Sequence, residues 1–130
     1  MKSNKTIWLA AIALVVMLGT QFLPGQEGVD VKQAHALNSQ GVLLLDVREP
    51  AEYAEVHAAD AKLIPLGELN SHLAELAAYK DKPLLVMCRS GHRSSKAVSL
   101  LREAGFHQVS NVKGGIKAWE GEGLSVIRKI

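Results

Sequence analysis

Hydrophobic positions along this chain fall into one unbroken apolar stretch followed by segments that alternate between strand-like and helix-like periods. The stretch is Ile7 to Leu18, which carries no charge and follows Lys2 and Lys5. That charge-then-apolar order is the pattern of an export signal. Counting on through Gly19, Thr20 and Gln21 to Leu23 makes it only marginally long enough to span a bilayer. A clean small-x-small cleavage site is missing, because Leu18 stands before Gly19 and Thr20. Residues 1–23 are therefore expected to form a hydrophobic helix that is either a signal peptide or a membrane anchor. By the positive-inside tendency Lys2 and Lys5 stay cytoplasmic. The expected localisation is periplasmic or otherwise extracytoplasmic, with residues 7–23 as the inner-membrane tether if they are retained. A buried core helix would need a polar face that this stretch lacks. Residues 24–28, with Pro24, Gly25 and Gly28, read as a linker, and the domain is expected over residues 29–130.

Within the domain, Asp30 can cap a helix whose Val31, Ala34 and Leu37 share a face, and Gly41 supplies a left-handed terminus. Val42 to Val47 is an apolar run broken only by Asp46, which suits a strand buried on both faces. Pro50 forces a break, and Glu52 to Glu55 reads as one helical turn. Leu63 to Leu66 predicts a short strand. From Gly67 on, Leu69, Leu73, Leu76 and Ala77 recur at helical spacing until the Asp81-Lys82-Pro83 turn. Leu84 to Met87 is a second fully apolar strand. A helix from Ser94 or Ser95 to Gly105 turns Ala97, Val98, Leu100, Leu101 and Ala104 inward and Lys96, Ser99, Arg102 and Glu103 outward. Strands alternating with helices predict an α/β domain with a central, mainly parallel sheet flanked by helices.

Composition adds little until the cysteine is reached. Apolar residues make up 48% and charged residues 22% of 130 positions, ordinary for a globular domain. Fifteen basic and 13 acidic residues are interspersed, which excludes the concentrated basic face of a nucleic-acid binder. The one small positive cluster, Arg89, His92 and Arg93, points to a small anion as partner. Cys88 is the only cysteine, so the chain can form no internal disulfide and no cysteine-rich metal site.

Cys88 stands where the strand Leu84 to Met87 ends and a helix begins, the place where ligands bind in open α/β sheets. A short strand-to-helix loop curls its N–H groups inward, and the helix adds the positive end of its dipole. Such a cradle favours thiolate over thiol and makes Cys88 the candidate nucleophile. Arg89 and Arg93 can add full charges, with Arg93 turning inward where the loop closes. Gly91 permits unusual torsions, and Ser90, Ser94 and Ser95 offer hydroxyl donors. His92 completes the loop. Asp46, at a strand end after an apolar run, needs a partner. Gly114 and Gly115 fit tight packing before a helix that uses Trp119 as core. A lone exposed thiolate outside the cytoplasm is open to oxidation, so activity is expected to depend on reductant.

The loop Cys88-Arg89-Ser90-Gly91-His92-Arg93-Ser94 resembles the active loop of the single-domain rhodaneses, which begins with cysteine and in many bacterial members closes with arginine. Leu45-Asp46-Val47-Arg48-Glu49-Pro50, followed by Glu52-Tyr53, is similar to that family's amino-terminal signature. Val112-Lys113-Gly114-Gly115-Ile116-Lys117-Ala118-Trp119 is similar to its carboxyl-terminal one. The three motifs, in order, cover nearly everything from Val31 to Ile127. The resemblance implies a rhodanese-like fold and a sulfurtransferase in which Cys88 takes sulfane sulfur from a small anionic donor such as thiosulfate. The persulfide then passes it to a thiol or cyanide. It also implies donor contacts along Arg89 to Ser94, a structural role beside the loop for Asp46 and Arg48, no cofactor, and action as a monomer. The family's usual Gly-His-Ile-Pro-Gly-Ala is replaced here by Val56-His57-Ala58-Ala59-Asp60-Ala61, which leaves His57 a packing role.

Two other readings stand beside it. A non-catalytic sulfur-relay or binding module is one, although degenerate members usually lose the cysteine. A tyrosine phosphatase or arsenate reductase is the other, but only four residues separate Cys88 from Arg93 where the phosphatase pattern has five.

Overall fold

The structure, a computed structural model, describes residues 28–130. The hydrophobic helix expected over residues 1–23, and all of the 24–28 linker except Gly28, lie outside the described residues. Among those described, no helix is long and apolar enough to cross a membrane.

The two apolar runs become β1 (Leu43–Asp46) and β4 (Leu84–Met87), paired in parallel along their whole length from Leu43 opposite Leu84 to Asp46 opposite Met87. β3 (Lys62–Leu63) and β5 (Val109–Asn111) flank them, so the sheet runs β3-β1-β4-β5, all parallel. Its side chains alternate between two cores. Leu45, Val47, Leu84, Val86 and Cys88 face one way, onto Ala97, Val98 and Leu101 of α3 (His92–Glu103). Leu44, Leu85 and Met87 face the other, onto Ala34 of α1 (Val31–Ser39) and Ile116 and Trp119 of α4 (Gly115–Gly121). As expected, Asp30 caps α1 by accepting from the Gln33 N–H at 2.8 Å, and Gly41 has φ +101°.

Some expectations need correction. Leu69, Leu73 and Leu76 do turn inward, but Leu69 on a 3-10 helix (Leu66–His72) and Leu73 and Leu76 on the turn between it and a second one (Ala77–Tyr79), instead of on an α-helix. Gly67, Asn70, Ser71 and His72 are poor helix formers, and one Ser71 hydroxyl bonds locally to the Glu68 carbonyl. The strand expected at Leu63 to Leu66 is confined to Lys62–Leu63, because Pro65 has no N–H for a ladder. Pro50 starts α2 (Pro50–Glu55) at its first position, where a missing N–H is harmless, and the Glu49–Glu52 capping box secures the entry. An antiparallel pair, β2 (Val56–Ala58) with β6 (Val126–Arg128), was not anticipated. His57 lies on β2, stacked at 3.8 Å on Tyr53 with its Nδ1 2.7 Å from the Tyr53 carbonyl, consistent with packing.

Asp46 is fully buried and receives Arg48 through the backbone N–H at 3.0 Å, Nε at 3.0 Å and Nη2 at 2.7 Å. Arg48 is itself buried and also donates to the Val56 carbonyl at 2.7 Å and, more weakly, to that of Glu52. The pair thus ties the end of β1 to α2 and to the start of β2. Removing one partner strands a buried charge. Asp46→Ala is expected to destabilise the protein by about 3–5 kcal/mol in urea unfolding.

Candidate active site

Cys88 follows the last residue of β4 and keeps the inward phase of Leu84 and Val86, so its side chain is only 1% exposed. The chain then turns through Arg89, Ser90 and Gly91 into α3. Gly91, at φ +118°, is the helix N-cap. α3 starts at His92, ahead of the expected Ser94 or Ser95, which puts Ser94 on its inner face, fully buried under the sulfur. The Cys88 Sγ accepts from the Gly91 N–H at 3.1 Å, with the Ser94 Oγ at 3.3 Å. Burial pushes the thiol up, but bonds from the Ser94 hydroxyl and from the N–H groups of Ser94, Gly91 and Ser90 outweigh it. The Cys88 pKa therefore falls below the ordinary value of 9.0.

Three of the loop's carbonyls are held by neighbouring elements. The Cys88 carbonyl accepts the Ile116 N–H at 2.9 Å and the Arg89 carbonyl accepts the Lys117 N–H at 3.2 Å, both from the first turn of α4. Asn111, at the end of β5, donates its Nδ2 to the Gly91 carbonyl at 3.2 Å. In a planar trans peptide the N–H points opposite its carbonyl. Anchoring the carbonyls of Cys88 and Arg89 on α4 therefore turns the N–H groups of Arg89 and Ser90 away from α4. Only glycine fits at 115, where φ is +54° and an added Cβ would lie 2.6 Å from the Arg89 carbonyl oxygen and nearer still to that of Cys88.

A cysteine at a parallel strand's carboxyl end, cradled by the amides that open the next helix, agrees with what comparison shows. Residues 30–122 match the rhodanese-like domain. The chain belongs to the rhodanese-like family. It is 37% identical over 90 residues to a sulfurtransferase of Allochromatium vinosum, covering 69% of this chain and 82% of that protein. It is 34% identical over 88 residues to the thiosulfate sulfurtransferase GlpE of Stutzerimonas stutzeri, covering 68% and 79%. The crystal structure of a rhodanese-related protein from Thermoplasma volcanium superposes with a TM-score of 0.70 at 32% identity, covering 80% of this chain and all of that one. The rhodanese-like α/β fold and its sulfurtransferase relatives thus match the expectation from the three motifs.

The rhodanese-like loop departs from expectation in three places. Cys88 is buried, not exposed as expected. Ser94 lies on the protein side of the sulfur, where a donor cannot touch it. Arg93 does not turn onto the sulfur. Its guanidinium grips Glu52 of α2 with two bonds, Nη1 to Oε1 at 2.6 Å and Nη2 to Oε2 at 2.9 Å. These bonds hold the Glu52 carboxyl down at about 2 and push the Arg93 pKa up, with the Cys88 charge a lesser cause for Arg93. Arg89, Ser90 and His92 stand exposed on the rim and Gly91 is half-buried. Beside the rim lies a cleft of about 340 Å³ in which Arg48, Arg89 and Lys117 face Glu52, Glu55 and Glu120. Cys88 does not line this cleft, and its mixed charge offers a simple anion no net attraction.

Glu52, Asn111 and Gly115 are the contacts that sequence reasoning missed. Glu52 was visible as part of a motif and Gly115 as a packing residue, but Glu52 lies 41 positions from Arg93 and no local signal marks the pair. Asn111 ends a strand with nothing in its neighbourhood to distinguish it.

Two expectations follow. Gly115→Ala is expected to disturb the Cys88 and Arg89 carbonyls and raise the midpoint of the iodoacetamide alkylation profile, while Gly121→Ala, a position with open space, leaves it unchanged. Glu52→Gln removes a carboxylate whose pKa drops from 4.5 unfolded to about 2 folded. A depressed carboxylate stabilises above its unfolded value and loses that contribution as pH falls toward the folded one. The wild type is therefore expected to exceed Glu52→Gln in stability above pH 4.5 and to converge with it as pH approaches 2. With both partners about a third exposed, the difference is expected to stay within about 1 kcal/mol in acid-dependent thermal melts.

Proposed function

We propose that this rhodanese-like protein is a thiosulfate sulfurtransferase-like enzyme that carries sulfane sulfur as a persulfide on Cys88. The observation that supports it most is the cradle: a buried sulfur that accepts from the Gly91 N–H and the Ser94 hydroxyl while α4 holds the loop's carbonyls away. The Cys88 thiolate attacks the outer sulfur of thiosulfate. A new S–S bond forms as the thiosulfate S–S bond breaks, and sulfite leaves with the electron pair. Cyanide or a thiolate then attacks the terminal sulfur, the bond to Sγ breaks, and the electron pair returns to Cys88 as thiolate. The cycle needs no external oxidant, reductant or cofactor. Arg89, Ser90 and His92 on the rim meet the anionic donor, and Gly91 supplies backbone rather than side chain. Arg93 contributes its field at a distance. The name of the Stutzerimonas stutzeri relative supports thiosulfate as the donor class.

Phosphoryl chemistry is disfavoured because the guanidinium that would fork onto an oxyanion already grips Glu52. A purely binding role is disfavoured because a module with no chemistry has no need of a thiol with a depressed pKa. The amino-terminal lysines and apolar run support an extracytoplasmic setting, tethered to the inner membrane if the segment is retained. Cell fractionation with amino-terminal peptide mapping tests that setting. Envelope recovery is expected, and intact protein confined to the cytosol contradicts it.

Incubation with thiosulfate followed by intact mass analysis is expected to show one added sulfur on the wild type and none on Cys88→Ser, whose melting temperature stays close to wild type. Cyanide should remove the added sulfur and yield thiocyanate. Undiminished transfer by Cys88→Ser contradicts the proposal.

A further inference from the structure

Beneath the sulfur, one hydroxyl hydrogen lies between two acceptors. The Ser94 Oγ lies 2.6 Å from the Asn111 Oδ1 and 3.3 Å from the Cys88 Sγ, yet a serine hydroxyl has a single hydrogen to donate. The orientation of the Asn111 amide is fixed by its other end. Nδ2 donates to the Gly91 carbonyl at 3.2 Å, and the reversed amide would set two oxygens against each other there. Oδ1 therefore faces Ser94 as a permanent acceptor in competition with the sulfur. The Ser94–Cys88 contact is buried and the Ser94–Asn111 bond is part-buried, with Asn111 reaching in from the half-exposed end of β5.

We propose that Asn111 is a positioning residue for the sulfur chemistry, holding the Ser94 hydroxyl toward itself when Cys88 is a thiol or a persulfide and releasing it to the sulfur when Cys88 is a thiolate. This rests on the proposed role of Cys88 as the sulfur carrier. In the thiol state the S–H donates to the Ser94 Oγ while the Ser94 O–H donates to Asn111, so every proton has an acceptor. In the thiolate state the charged sulfur is the stronger acceptor, and the hydroxyl rotates onto it. Once the persulfide forms, the negative charge moves to the terminal sulfur, the Sγ becomes a weak acceptor, and the hydroxyl swings back. No covalent bond changes in this step; only the O–H rotates. Asn111 thereby limits how far the thiolate is stabilised, which preserves nucleophilicity, because attacking power falls as thiol pKa falls.

A double-mutant cycle on the Cys88 titration separates this role from mere bracing of the loop. Asn111→Ala removes both the competing acceptor and the Nδ2 bond to the Gly91 carbonyl. In the Ser94→Ala background only the bracing loss remains. The charged groups around Cys88 are Arg93 with its partner Glu52 on α2, Arg89 in the loop, the Asp46–Arg48 pair on β1 and its following turn, and Lys117 on α4. None is altered in the cycle.

Alkylation rates measured across pH in all four proteins are expected to give a lower midpoint for Asn111→Ala relative to its parent when Ser94 is present than when it is absent. The thiolate fraction at pH values well below the wild-type midpoint should rise several-fold through the freed hydroxyl. Ser94→Ala alone is expected to raise the midpoint. Equal shifts in both backgrounds, or a greater rise with Ser94 present, overturn the proposal and leave Asn111 a brace. Should the alanine variant unfold, Asn111→Val, whose branched side chain suits a strand end, replaces it. An infrared S–H stretch of the wild-type thiol, expected at lower frequency than in Ser94→Ala, tests the same relay without touching Asn111. Coincident frequencies contradict it. Thiosulfate loading by intact mass, run on the same samples, keeps the two claims apart. Absence of added sulfur in the wild type defeats the sulfur-carrier reading, whereas normal loading with an uncoupled cycle defeats only the relay.

Discussion

A peptide plane cannot aim its carbonyl and its neighbouring N–H in the same direction, and the arrangement around Cys88 is built on that restriction. The first turn of α4 takes the carbonyls of Cys88 and Arg89, and Asn111 takes that of Gly91. With the Arg89 carbonyl drawn onto α4, the Ser90 N–H of the same peptide plane is turned toward the sulfur, beside the N–H groups of Gly91 and Ser94. This explains why a glycine pair opens α4. A side chain at 115 would occupy the space through which the Cys88 and Arg89 carbonyls reach their partners. The carboxyl-terminal motif, more than twenty residues from the cysteine, is thus part of the sulfur's environment.

The same arrangement makes the charge balance local. Burial alone would hold Cys88 as a neutral thiol, as it does for cysteines in ordinary cores. Here fixed dipoles oppose burial, while the charge of Arg93 is matched by Glu52. A cradle of dipoles suits a charge that sits on Sγ in one state and moves outward to a terminal sulfur in the next. A guanidinium clamped directly to Sγ would bind the first state too well. The Asp46–Arg48 pair acts at the end of β1. It fixes the strand end next to Met87 and so the starting point of the loop.

Much of this was legible in the residues. The runs Val42 to Val47 and Leu84 to Met87 could be little else than strands buried on both faces, and they pair with each other. The position of Cys88 at a strand-to-helix junction marks the cradle in the sequence itself. Periodicity misled at Leu69, Leu73 and Leu76, where the inward spacing is right but two 3-10 helices joined by a turn, with local serine bonding, stand in place of the α-helix. The β2–β6 pair was hidden because its strands are three residues each and sixty-odd positions apart, with no turn between them to read. Arg93 was assigned to the sulfur because its partner Glu52 is distant in sequence. Asn111 escaped because its role comes entirely from the fold that brings β5 beside the loop.

The most direct test of the dipole cradle is the ultraviolet titration of thiolate absorbance in the folded wild-type protein, with Cys88→Ser subtracted to remove the tyrosine signal. The account predicts a midpoint below the ordinary thiol value of 9.0. A midpoint at or above that value, in protein shown to be folded, would mean that burial wins over the amides and contradict it.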